Sequence, residues 1–314
     1  MANQWGETFL KSGLPLEHLT LMIFNSLGWE CEPKYEYRRL NREGNPSWFE
    51  LDLIAYAPYN KKNGNLEFLV ECKYHDEQRF WIFHPCTTLD HQAQYGALSA
   101  GEDIEADPYV AHYAPYSPLM MPSRKELIKL APKTTWGVTI SRSGKKEQNS
   151  VQAALDQISF GFVHFCLDRL YHFCRYEPTA VIPMIVTSAK LFRLHPNIKD
   201  VSRIRNAKSP ADVSDELPWT WYNYAPRGSL LDHNSDEIEQ WKENHSNIKF
   251  LPLESQFSTL WSSPHWIMIV NIDCLCTAIE SVYKTFSKLP KNFTNNKILC
   301  DAIEANQKYF KLDK

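Results

Sequence analysis

Asp52 in Phe49-Glu-Leu-Asp-Leu-Ile54, and Glu71 with Lys73 in Phe68-Leu-Val-Glu-Cys-Lys73, are the residues whose types and spacing best fit a reaction centre. Along a strand, residues two apart point to one side, so Glu71 and Lys73 share a face. Between the two runs, Tyr59-Asn-Lys-Lys-Asn-Gly-Asn65 is a turn signal. A loop made of Asn60 to Asn63 sets Asp52 directly opposite Glu71, with Cβ atoms about 4.5–5.5 Å apart. A two-residue turn at Asn63-Gly64 shifts that register. Two carboxylates so close repel each other unless a cation lies between them, and a hard divalent ion suits oxygen ligands. Such an ion polarises a phosphoryl oxygen and acidifies a water, while an ammonium beside it neutralises charge that develops in the transition state. Phosphodiester hydrolysis is the chemistry such a set serves. The bland alternative is an exposed strand edge with ordinary salt bridges.

Periodicity indicates the elements that must hold these groups. Pro15 opens a helical pattern through Leu16, Leu19, Thr20, Ile23 and Leu27, and Gly28 stands where a C-cap belongs. Residues 30–39 read as an extended, tyrosine-rich segment, and 48–56 and 66–74 as strands. A long helix is expected over 150–174, with Val151, Leu155, Ile158, Phe162 and Phe165 on its apolar stripe. Ala180 to Thr187 has the length and composition of a buried strand. Residues 80–148 read as an irregular insertion with a strand near 136–140, and 200–246 as a second loop-rich excursion. A strand at 266–270 and helices near 274–286 and 295–310 complete the pattern. The expectation is one elaborated α/β domain over 1–314, with a mixed central sheet flanked by helices. Its core covers about 14–80 and 150–190, and 200–314 is a C-terminal elaboration.

With those elements in place, the motifs resemble the PD-(D/E)XK, restriction-endonuclease-like nuclease superfamily. Its pattern is a helix glutamate, a strand aspartate and then an apolar strand ending in (D/E)-x-K. The matching segments are Leu14-Pro-Leu-Glu17, Phe49-Glu-Leu-Asp52 and Phe68-Leu-Val-Glu-Cys-Lys73. Leu51 stands where the family name has proline. The resemblance implies a restriction-endonuclease-like core. It also implies Mg2+, with Mn2+ able to substitute, held by Asp52, Glu71 and the carbonyl of Cys72. Lys73 is then the catalytic lysine, Glu17 orients a water, and Gln157 is the helix glutamine that several members carry, with Gln152 as second choice. The implied activity is metal-dependent phosphodiester hydrolysis, with DNA as the expected substrate and restriction or phage defence as the setting. The alternative is a catalytically silent module of the same fold that binds nucleic acid or serves as a scaffold in a larger assembly. Either reading accommodates a homodimer or a partner subunit.

Lys34, Arg38, Arg39 and Arg42 alternate with Tyr35 and Tyr37, as a phosphate-tracking strand or a charged sheet edge would. Arg142, Lys145 and Lys146 flank a glycine in a surface loop that could touch nucleic acid. Trp219, Trp221, Tyr222 and Tyr224 suit either base stacking or a local core. Tyr74 and His75 adjoin the acidic pair, close enough to meet a phosphate. His75, His84, His91 and Cys86 have no recognised structural-zinc spacing. The eight cysteines lack paired CxxC spacing and read as reduced thiols. A net charge of −3 neither advertises nor excludes a nucleic-acid partner, since acidic metal ligands offset basic contacts. The usual phosphate-loop, dinucleotide, serine-hydrolase and zincin motifs are missing. No apolar run reaches the ~20 residues of a membrane span, so a cytoplasmic protein is expected.

Overall fold

Asp52 and Glu71 lie on adjacent strands of a sheet that has ten strands among the described residues. The computed structural model describes residues 4–40, 45–57, 65–76, 79–86, 129–141, 150–173, 179–224, 228–244 and 266–287. The elements begin with α1 (Gln4–Lys11), α2 (Leu14–Ser26), β1 (Glu30–Leu40), β2 (Pro46–Tyr56), β3 (Asn65–Lys73), β4 (Arg79–Pro85) and β5 (Lys133–Ser141). They continue with α3 (Ser150–Phe173), β6 (Thr179–Thr187), β7 (Lys190–Leu194), α4 (Val201–Asn206), β8 (Ser214–Leu217) and β9 (Trp219–Asn223). Last come α5 (Gly228–Asn244), β10 (Trp266–Asn271) and α6 (Leu275–Phe286). The strand order is β1-β2-β3-β6-β10-β9-β5-β4-β7-β8. Pairing is parallel at β3/β6, β6/β10, β9/β5 and β4/β7 and antiparallel elsewhere, which makes the sheet mixed.

Two cores, one on each face, account for the sequence pattern. Leu51, Leu69, Ile185 and Ile269 join Leu155, Ile158 and Phe162 of α3 and Ile238 of α5. Phe68, Val70, Met184 and Met268 join Leu16 and Phe24 of α2 and Ile279 and Val282 of α6. Strands covered on both faces read as continuous apolar runs, as β6 and β10 do. On α2 the buried positions are Leu16, Thr20 and Phe24, while Leu19, expected in the core, is 52% exposed. Gly28 follows that helix with φ 77, the left-handed conformation of a glycine cap.

Several strands arise where the sequence read as loop. β4 lies in the stretch read as irregular, and β8 and β9 lie in the supposed excursion over 200–246. β9 escaped detection because Trp219 and Trp221 enter one core while Tyr222 and the adjacent Tyr224 enter the other. Burial on both faces erases the alternation that marks a strand. β10 comes from the region read as an elaboration, yet it sits between β6 and β9. The expected helix near 295–310 and the loop joining β2 to β3 lie outside the described residues. No described helix is long and apolar enough to cross a membrane.

Helix α3 approaches β2 through Gly161. A Cβ there would stand 2.3 Å from Leu51 Cδ1 and 3.2 Å from Tyr37 Cε1. Gly161→Ala is therefore expected to destabilise the fold by ~1–3 kcal/mol through overpacking. A denaturant midpoint that stays put would show that α3 can move away without cost.

Candidate active site

β2 and β3 pair Leu53 with Val70 and Ile54 with Leu69. One further step of that register brings Asp52 opposite Glu71. This is the pairing expected for a loop over Asn60 to Asn63, and not the one an Asn63-Gly64 turn would give. Asp52 also marks a break in the neighbouring ladder, where Pro33 pairs with Leu53 and Tyr35 with Leu51. Between those pairs Lys34 has φ 66, a left-handed conformation that costs a non-glycine residue about 1–2 kcal/mol. Leu53 belongs to the core under α2 and Leu51 to the core under α3, so β2 exchanges faces at Asp52. Local strain of this kind persists where the surrounding packing over-determines it.

The acidic pair is tightly held. Asp52 Oδ2 accepts a 2.6 Å hydrogen bond from the Cys72 amide. Glu71 is 1% exposed, and its Oε1 pairs with the Lys73 ammonium. Its Oε2 is buried with no hydrogen-bond partner among the described residues. Lys73 Nζ also donates to Gln157 Oε1 at 3.0 Å, and Gln157 Nε2 donates to the Glu50 carbonyl at 3.2 Å. Gln157 thus joins the cluster, whereas Gln152 bonds its own neighbour Asp156 at 2.6 Å. Sequence reasoning passed over Glu50, because its contribution is a backbone carbonyl that residue type does not signal.

Burial, then the charge of Asp52, pushes the Glu71 carboxyl up to about 8, against the pull of Lys73. Burial raises Asp52 as well, opposed by the Cys72 amide and by Lys73. Glu17, half-buried on α2, is raised by burial and then by Asp52, so it shares the field of the pair. The oxygens of Glu17, Asp52 and Glu71 do not all lie within 4.8 Å of one another. An orphaned, buried carboxylate oxygen facing a second acid is a centre short of positive charge. Oxygen donors in that state fit a hard divalent cation. The Cys72 side chain turns to the opposite core, where its Sγ donates to Thr20 Oγ1 at 3.6 Å, so only its backbone adjoins the pair.

The expected nucleic-acid residues separate. Lys34 is exposed and pairs with Glu50 at 3.1 Å. Arg38 is exposed on the edge strand opposite Trp48, which is 70% exposed. Arg39 is a correction: its guanidinium lies 3.8 Å from the ring centroids of both Phe49 and Phe160, held in packing. Tyr35 and Tyr37 face the core under α3, and the Tyr35 hydroxyl donates to Asp168 at 2.6 Å. The basic–tyrosine alternation therefore reflects a strand with one aromatic, inward face. Arg42, Arg142, Lys145 and Lys146 lie outside the described residues.

The remaining aromatic and histidine candidates are mostly structural. Trp219, Trp221, Tyr222 and Tyr224 are buried, so they cannot form a stacking platform. His75 is buried against Trp81, with Nε2 3.0 Å from Ser150 Oγ, and burial lowers its pKa to about 4. It is a neutral packing residue, and Tyr74 packs on the core under α2. His84 bonds the Pro85 carbonyl at 2.8 Å and Cys86 Sγ accepts from Asn223 at 3.7 Å, so these do not assemble with His75. His91 lies outside the described residues. No protein-family model, no curated protein and no solved structure matches the chain.

Proposed function

We propose that this chain is a divalent-metal-dependent nuclease of the restriction-endonuclease-like kind, with DNA as its substrate. The observation that carries the reading is the buried Glu71 Oε2 without a partner among the described residues, opposite Asp52 and beside Lys73. Asp52 and Glu71 would hold Mg2+ or Mn2+, with the Cys72 carbonyl as the third donor proposed from the family resemblance. When bound, the ion supplies polarisation of a phosphoryl oxygen and acidification of water. Lys73 is partly exposed and braced by Gln157, which suits it to hydrogen-bond the attacking water and to offset negative charge on the phosphoryl group. Glu17 lies in the field of Asp52, and by the family resemblance it would orient the same water. Arg38 and Trp48 offer an exposed cation and ring on the β1–β2 pair for phosphate and base contact. Restriction or phage defence is proposed from the family resemblance alone.

Plasmid, single-stranded and branched DNA incubated with Mg2+, Mn2+ or EDTA test the reading. Cleavage with either metal and none in EDTA is the expected result. Asp52→Asn should then need more metal for the same rate, since one ligand is weakened. Binding without cleavage on every substrate and with both metals would instead favour the catalytically silent module.

A further inference from the structure

We propose a second metal site, between α3 and α5, in which His164, His233 and Glu237 bind a zinc-class transition metal. His233 and Glu237 are four residues apart on α5 and so share one face. His164 comes from α3, which packs against α5. The three ligand atoms lie within 4.8 Å of one another. Glu237 Oε2 is 3.1 Å from His164 Nε2, and Glu237 Oε1 is 3.9 Å from His233 Nε2. In a tetrahedral zinc site with bonds of 2.0–2.2 Å, donor atoms stand about 3.3–3.6 Å apart, and each histidine lies within a few tenths of an ångström of that span from one oxygen of Glu237.

Three observations favour a metal over a plain ion pair. Both Nε2 atoms are buried and make no hydrogen bond among the described residues. The His164 contact therefore has the separation of an ion pair without the direction of a hydrogen bond. Neighbouring rings also fix the imidazoles, Tyr37 5.2 Å from His164 and Phe160 5.1 Å from His233. Two histidines with one glutamate form a known zinc donor set that leaves a fourth position open. The positive charge of Arg39 acts on His233. The same Arg39 charge opposes a dication and will weaken the site.

This site is separate from the acidic pair. Gln157 and His164 are seven residues apart on α3, or ~10 Å along the axis at 1.5 Å per residue. Paired catalytic metals lie only about 3.5–4 Å apart, so the second ion cannot share the reaction. It acts as a clamp that fixes α5 on the helix bearing Gln157, and it holds whether or not the chain is a nuclease.

The test uses the full chain carrying Asp52→Asn, so that the acidic pair does not compete. After chelation, Zn2+ should bind once per chain and raise Tm. His164→Ala and Glu237→Gln should each lower that affinity by about 100-fold or more, beyond the ~10–100-fold that outer-shell changes cost. Glu237→Gln keeps the side-chain shape and guards against misfolding in the alanine variant. Bound Co2+ should show visible bands without a thiolate charge-transfer band, which excludes the cysteines. Zn2+ binding unchanged in both variants, a thiolate band, or no binding at micromolar Zn2+ would each overturn the proposal.

Discussion

Lys73→Ala is expected to slow DNA cleavage by about 10²–10³ while leaving metal-supported DNA binding nearly unchanged. The lysine is bonded to Glu71 and Gln157 at the acidic pair, so in the proposed reaction it would act on the attacking water and on charge that appears only in the transition state. On the proposed reading, ground-state affinity would come mainly from phosphate contacts elsewhere, such as one at Arg38. Removing the ammonium leaves Glu71 buried without its cation. Because the Glu71 carboxyl is already raised to about 8, the variant answers by holding a proton, which competes with metal. Rates should therefore be compared at saturating Mn2+ and alkaline pH, where that proton is lost. Single-turnover cleavage beside an equilibrium binding curve separates the two effects. Wild-type rates from the variant would move the reaction centre elsewhere.

Without metal, stability should fall as pH rises from about 6.5 to about 8, above the range where His75 offsets Glu71, and Mg2+ should reverse the trend. The sign follows from Glu71, whose pKa of 4.5 when unfolded rises to about 8 when folded. Between those values the folded chain keeps a proton that the unfolded chain has released, so raising pH favours unfolding. Above 6.5, where Glu71 acts alone, the fall corresponds to about 2 kcal/mol, or roughly 3–4 °C in Tm. Metal binding requires the ionised carboxylate, so Mg2+ affinity should climb through the same window and level off above about 8. His75 works in the opposite direction at the acid end: its pKa is held near 4, so the neutral ring must be charged on unfolding below its ordinary value of 6.5. Glu71→Gln separates the two, because it should remove the alkaline loss of stability and the Mg2+ response but leave the acid limb. Melts from pH 5 to 9, with and without Mg2+, provide the check. A metal-free wild-type Tm that does not fall between pH 6.5 and 8 would show that Glu71 is already ionised there.

The acidic pair was legible because its geometry is local. Strand alternation aligned Glu71 with Lys73, and a short loop limited Asp52 to a few registers, one of which the β2–β3 pairing adopts. Helix period likewise set Glu17 one position after the buried Leu16. Gln157 was only a candidate, because its bond to Lys73 joins residues 84 apart and depends on α3 seating against β2 at Gly161.

What the sequence by itself determined is therefore whatever nearest neighbours impose: alternation, helix stripes, caps, and the order of acids and lysine along two adjacent strands. Tertiary structure alone decided that Trp219 and Trp221 lie inside a sheet, that Arg39 is held between Phe49 and Phe160, and that Tyr35 and Tyr37 face inward. It also decided that Glu71 carries a buried oxygen unpaired among the described residues and that His164 meets His233 and Glu237. The physical reason is that each of these depends on which distant element covers a given face. Strand order and helix docking are set by burying apolar surface across the whole chain, and no pattern within a single element encodes them.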